Sequence, residues 1–250
     1  MLSAKHRALI PSWRKSRKEV ILASISIFFV FFGLIAFWVS SFKLPDLSSF
    51  ETMKPSQSTK IYDRTGKILL YDVHERSKKT VVPFENISKD IKNATVAIED
   101  DQFYLHGGIK ISSIFRSIFA NILSGSFSQG GSTITQQVIK NSLLTTEKSI
   151  SRKLKEWFLS IQLEKVMSKE QILSIYLNSN PYGGNIYGVQ EASLAFFGKG
   201  ADEVLLAEAA YIAAIPKAPT YYSPYGQNKD KLDQRQKLVL SKMFENNFIT

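Results

Sequence analysis

Three consecutive carboxylates, Glu99, Asp100 and Asp101, follow the apolar run Ala94 to Ile98 and precede Phe103, His106, Gly107 and Gly108. A carboxylate at the end of an apolar helix sits partly out of water. That raises its pKa and lets it accept a proton near neutral pH. A solvated acidic cluster beside a helix end would look the same. A second block is Gly130-Gly131-Ser132-Thr133-Ile134-Thr135-Gln136-Gln137-Val138-Ile139-Lys140. Its glycine-rich start leaves backbone amides free to approach an anion, at a helix end whose dipole favours negative charge. Thr133 with Gln136 also has the form of a capping box, which needs no ligand. Gln136 and Gln137 are neutral hydrogen-bonding groups suited to sugar or phosphate oxygens, and Lys140 lies one turn past Gln136 on the same face. In a third block Lys148, Arg152 and Glu156 are spaced i, i+4, i+8, which predicts one stripe along a helix. A stripe of that kind is also a common solvated ladder. Lys153 and Lys155 are expected to point elsewhere on that helix, and neither is assigned to the chemistry.

The elements that position these blocks are mostly helical. Ile87, Ile91, Ala94 and Ile98 recur at helix spacing and lead straight into Glu99. Residues 109–123 place Ile111, Ile114, Phe115, Ile118, Phe119 and Ile122 on one wide apolar face. Such a face packs into a core or, beside Arg116, dips into a membrane interface. Ser168 with Gln171 is a second capping box. Asp202 to Ile215 reads as a buried helix ending before Pro216. Lys60 to Tyr71 reads as a β-hairpin around the turn Asp63-Arg64-Thr65-Gly66. Residues 43–58, with Pro45, Pro55 and several serines, read as a linker.

From Val20 to Phe42 there is no charged residue. At helical rise the run spans roughly 35 Å, enough for a bilayer with some tilt. Trp38 sits toward one end, where an interfacial aromatic belongs. The chain has 250 residues and a formal net charge of +10. About half of that excess lies in residues 1–19, on Lys5, Arg7, Arg14, Lys15, Arg17 and Lys18 against Glu19. A membrane is therefore a simpler partner than nucleic acid. The cations place the N-terminus in the cytoplasm and residues 43–250 outside. A cleaved signal peptide would have a shorter apolar region and small residues at its end, which Ser40-Ser41-Phe42-Lys43-Leu44-Pro45 does not supply. The chain has no cysteine and three well-separated histidines, which argues against a disulfide scaffold and a zinc site.

The three blocks, in this order, resemble the peptidoglycan glycosyltransferase domain (glycosyltransferase family 51). Family members carry Glu-Asp-x-x-Phe-x-x-His-x-Gly, matched here at Glu99, Asp100, Phe103, His106 and Gly108. The resemblance runs from about Ser58 to the C-terminus. Ile172 to Asn178 with Gly183 to Val189, and Ala207 to Ala210 with Ile215 to Pro219, resemble its later blocks. Ser174 stands where glutamate is usual, and Pro181-Tyr182 where a Phe-Gly pair is common. The resemblance implies a mainly α, lysozyme-like glycosyltransferase domain over 59–250, with a small hydrophobic jaw lobe and a short β-hairpin. A linker (43–58), one transmembrane helix (20–42) and a cytoplasmic tail (1–19) would precede it.

The implied activity is inverting polymerisation of lipid II into peptidoglycan strands, with release of a polyprenyl pyrophosphate. Glu99 would be the catalytic base and Glu156 the second essential carboxylate. Asp100, Ser132, Thr133, Gln136, Gln137, Lys140, Lys148 and Arg152 would bind substrate, Asp100 by orienting the loop. No cofactor is implied as required and no protein metal site, though a divalent cation such as Mg fits at the pyrophosphate. Moenomycin-type phosphoglycolipid inhibitors would bind here. Implied partners are lipid II, the growing polyprenyl-linked strand, membrane lipids and other cell-wall synthesis proteins, at the bacterial inner membrane. A glycan hydrolase would also use two carboxylates, but it has no pyrophosphate to hold with Lys140, Lys148 and Arg152. A non-catalytic assembly protein of the same fold is countered by the intact Glu99 and Glu156. The chain reads as monofunctional, with a truncated bifunctional penicillin-binding protein as the alternative.

Overall fold

A computed structural model of the chain describes residues 17–40, 59–65, 67, 69–73, 78–113, 116, 131–144 and 149–250. The chain divides into two units, Met1–Leu44 and Pro45–Thr250. The first contains helix α1, Arg17–Ser40. Its side chains from Val20 to Phe32, with Leu34 and Phe37, include many large exposed hydrophobics. Among the described residues, however, no helix is long and apolar enough to cross a membrane. The spanning segment read at 20–42 is therefore not found there. Arg17, Lys18 and Glu19 open α1, and the apolar run continues into residues 41 and 42, which lie outside the described residues. So do the linker 43–58 and most of the apolar face proposed for the jaw, namely Ile114, Phe115, Ile118, Phe119 and Ile122. Of that face Ile111 is described, and it is exposed.

The second unit is mainly helical. Strands β1 (Thr59–Tyr62) and β2 (Leu69–Val73) form the expected antiparallel hairpin. Asp63 holds its turn by accepting hydrogen bonds from the Thr65 hydroxyl (2.6 Å) and the Lys67 amide (3.1 Å). Helix α2 (Lys89–Glu99) starts at Ser88, whose hydroxyl accepts from the Ile91 amide. Of the periodic residues, Ile91 and Ala94 are buried and Ile98 is half-buried, and with Val96 and Ala97 also buried this fixes where the last residue, Glu99, emerges. Helices α3 (Ile134–Leu143), α4 (Ile150–Val166) and α5 (Lys169–Ser179) form one packed group, with α3 against both others. Both predicted capping boxes, Thr133–Gln136 and Ser168–Gln171, are formed.

Helix α6 (Val189–Phe197) is followed by α7 (Leu206–Ala214) and α8 (Lys229–Glu245), and these last two pack on α2. The helix expected from Asp202 begins only at Leu206, because Glu208 turns back to cap the Leu205 amide (2.8 Å). A second sheet was not legible in the sequence: β3 (Lys78–Lys79), β5 (Ile186–Tyr187) and β4 (Pro181–Gly183), with β5 in the middle. Strands of two or three residues are too short to show alternation. Tertiary contacts hold them instead. The Asn178 side chain bonds the Val82 amide and carbonyl, both at 3.0 Å. Gly188, at φ 81°, passes so close to Asn178 that a Cβ would stand 2.8 Å from its carbonyl oxygen.

Candidate active site

The site lies in the second unit, where the α2, α7 and α8 helices meet the α3, α4 and α5 group. Glu99, at the end of α2, accepts the Gln137 amide at 2.8 Å on Oε2. Its other oxygen lies 3.6 Å from Nη2 of Arg235 on α8. Arg235 is itself buried, donates Nε to the Ala214 carbonyl at 2.9 Å and lies over the Tyr222 ring. The Tyr176 and Tyr182 phenols are fully buried. Burial first, and then the negative charge of Glu99, push both well above the usual tyrosine range.

Asp100 turns inward and is buried. Its Oδ2 accepts the Ile134 amide at 3.1 Å and meets His106 Nε2 at 2.9 Å. The Gly108 amide donates to His106 Nδ1, so the Nε2 nitrogen carries the proton toward Asp100. The loop closes further where Thr133 Oγ1 donates to the Gly108 carbonyl at 2.7 Å. Gly108 has φ 92°, and a Cβ there would stand 2.5 Å from the Ser160 carbonyl oxygen, so only glycine fits.

The second carboxylate, Glu156, is 1% exposed on α4. Lys153, three residues earlier, forms an ion pair with it and also donates to Ser132 Oγ at 2.7 Å. Lys140, on α3, feels the charges of Glu156, Lys153, Arg152 and Glu99 together. Burial is the largest influence on it and lowers its pKa below the usual 10.5. Among the described residues Lys140 makes no hydrogen bond or ion pair, and Arg152 Nε is buried without a partner. Among the described residues Lys140 thus stands uncommitted, under the influence of both carboxylates. A cavity of about 230 Å³ opens beside Glu99, walled by Asp100, Asp101, Ser132 and Thr133 and by the cations Lys110, Arg116 and Lys242, whereas Lys140, Arg152 and Glu156 lie outside its lining. An anion can be met here by cations, and a hydroxyl by a carboxylate.

The family model described as transglycosylase matches residues 66–244. The chain belongs to the transglycosylase family. It is 43% identical over 213 residues to penicillin-binding protein 1A of Clostridium tetani, covering 82% of this chain and 27% of the relative. To penicillin-binding protein 1A of Aquifex aeolicus it is 39% identical over 235 residues, covering 93% and 32%. The chain thus spans roughly a quarter to a third of the length of these relatives. The crystal structure of penicillin-binding protein 1A from Haemophilus influenzae aligns at a TM-score of 0.42 and 23% identity, over 79% of this chain and 20% of that one.

Within this transglycosylase domain Glu99, Gln137, Lys140, Arg152 and Glu156 are brought into one neighbourhood. Other candidate residues carry commitments within the fold. The α3 N-terminus, read as an anion site, already holds an anion of the protein's own, the Asp100 carboxylate. Gln136 is 1% exposed, and its carbonyl caps the Thr133 amide. Thr133 is also buried, its hydroxyl bonded to Gly108 and to the Gln136 amide. Helix α4 starts at Ile150 behind the N-cap Ser149 and carries both Arg152 and Glu156. Lys148 itself lies outside the described residues. Lys153, expected to point elsewhere, instead bridges Ser132 and Glu156. Its i, i+3 spacing to Glu156 was the available signal. Arg235 gave none, since it reaches Glu99 from a helix far along the chain.

Proposed function

We propose that this transglycosylase domain polymerises lipid II into glycan strands during bacterial peptidoglycan synthesis. The observation that supports it best is Lys140, unpaired among the described residues and under the influence of both carboxylates and both neighbouring cations. Glu99 takes the proton from the acceptor hydroxyl. The freed oxygen forms a bond to the donor sugar carbon as the bond from that carbon to the polyprenyl pyrophosphate breaks. The departing electron pair goes to the pyrophosphate, and attack from the opposite face inverts the configuration. Lys140, Arg152 and Lys153 face the charge that develops there. Glu156 holds Lys153 in place, and Gln137 and Arg235 hold Glu99. The lysozyme-like, two-carboxylate arrangement also suits a hydrolase. The cations favour a pyrophosphate leaving group.

The residues present do not fit a resident divalent cation. Glu99 and Glu156 are each already met by nitrogen donors. Among the described residues no group of three or more His, Asp and Glu side chains could hold a metal ion. No cofactor is proposed as required, and a divalent cation such as Mg fits at the substrate's pyrophosphate. The exposed apolar helix α1, preceded by basic residues, supports a single-pass anchor with the N-terminus in the cytoplasm and the domain outside the bacterial inner membrane. Membrane lipids, the growing strand and other cell-wall synthesis proteins are the partners this reading implies.

The deciding experiment is incubation of the detergent-purified chain with labelled lipid II. A glycan polymer from the wild-type protein, absent with Glu99→Gln, is the expected result. Release of shortened soluble glycan from preformed strands, with no polymer, would instead identify a hydrolase.

A further inference from the structure

Two residues outside all the sequence blocks close a partly buried circuit behind the active-site loop. Glu164, near the end of α4, accepts the Thr135 hydroxyl at 2.6 Å on Oε1. Its Oε2 pairs with Lys169 Nζ at 2.6 Å, with the two side chains 8% and 22% exposed. Lys169, the first residue of α5, donates to the His106 carbonyl at 2.6 Å and lies 4.6 Å from the centre of the Phe103 ring. The circuit therefore joins α3, α4, α5 and the loop that follows Glu99. Through His106 it continues to Asp100 and so to the Ile134 amide that begins α3.

A buried ion pair contributes little net stability compared with apolar residues of the same volume, because both charges must leave water. What it does impose is geometry, since each charge tolerates few positions. Here both carboxylate oxygens are committed to different elements. We propose that the Glu164–Lys169 pair is a positioning pair for glycosyl transfer. It holds the Asp100–Gly108 loop against α3 and α4 so that Glu99 is set relative to Lys140 and Glu156. Neither residue touches the site itself. The inference rests on the glycosyl-transfer reading above.

The test is the double variant Lys169→Met/Glu164→Leu, which replaces the pair by apolar groups and should leave the melting temperature nearly unchanged. Turnover number for lipid II should fall roughly 10- to 100-fold, because a displacement of about an ångström suffices for that. KM and moenomycin affinity should hold within a few-fold, since Lys140, Arg152 and Lys153 are untouched. Amide hydrogen exchange at Gly108 and Ile134 should accelerate. Lys169→Arg, which keeps the charge, should restore most of the turnover. Wild-type turnover in a folded double variant overturns the proposal, and so does a parallel fall of turnover, inhibitor affinity and melting temperature. If the double variant does not fold, Thr135→Val decides, by slowed turnover with retained inhibitor binding or by no change at all. Should the wild-type protein make no polymer, the functional reading fails separately, and the pair is judged by exchange alone: unaltered exchange at Gly108 and Ile134 removes it.

Discussion

Lys153 reaches from the first turn of α4 to both Ser132 Oγ, at 2.7 Å, and the buried carboxylate of Glu156. The side chain is about a third exposed while its partner is nearly closed to solvent, at 36% against 1%. One face of the ammonium thus neutralises Glu156, and the rest is open to a ligand. Removing it does two things at once: it leaves a buried charge unpaired and takes a cation from the site.

Lys153→Ala should therefore lose both stability and turnover. Leaving a buried charge unpaired costs about 3–5 kcal/mol, which a melting curve would register. Polymer formation should drop roughly 10- to 100-fold, in line with one lost charge-assisted contact. Lys155→Ala on the same helix is the comparison, and an equal loss there would remove the special role of Lys153.

Glu99→Gln keeps the shape of the side chain and removes its basicity. Polymerisation should fall by about two orders of magnitude or more, the usual contribution of a general base. Folding and moenomycin binding should persist. Asp101 is paired with Lys110 at 2.5 Å and is half exposed, so Asp101→Asn should stay within a few-fold of wild type. A dead Asp101→Asn with an active Glu99→Gln would reverse the assignment.

The lowered pKa of Lys140 gives a pH dependence with a definite sign. Between its folded pKa and the unfolded value near 10.5, the folded state binds fewer protons than the unfolded one. Stability from this group therefore rises with pH across that window, because the charged form is the costly one in the fold. Anion binding runs the other way and weakens as Lys140 deprotonates. Inhibitor affinity measured by calorimetry from neutral to alkaline pH should decline within the window, with proton uptake on binding. Lys140→Arg should move the decline to higher pH.

Gly108 and Gly107 make a paired test of the loop. Gly108→Ala forces a Cβ to 2.5 Å from the Ser160 carbonyl oxygen at φ 92°, and nothing lies within 4 Å of a Cβ at Gly107. The first substitution should cost about 1–3 kcal/mol and most of the activity. The second should change the melting temperature and turnover little.

What the sequence determined is largely what is local. The apolar period leading into Glu99 fixed helix α2 and where the carboxylate emerges, because burial of Ile91 and Ala94 leaves one orientation. Thr133 and Ser168 announced their helices, since a cap needs only its own next few residues. The three blocks together carried the family. The tertiary structure decided how each polar group is committed. Asp100 filled the α3 N-terminus and the Gln136 carbonyl became a cap, because those buried amides take the acceptors the fold brings nearest, while Gln136 Nε2 stays buried without a partner among the described residues. Arg235, distant in sequence, reached Glu99 only because α8 packs on α2. Spacing along α4 could signal the Lys153–Glu156 pair, but spacing cannot show which cation will face a carboxylate on another helix, and packing brought Lys140 into the field of Glu99 and Glu156.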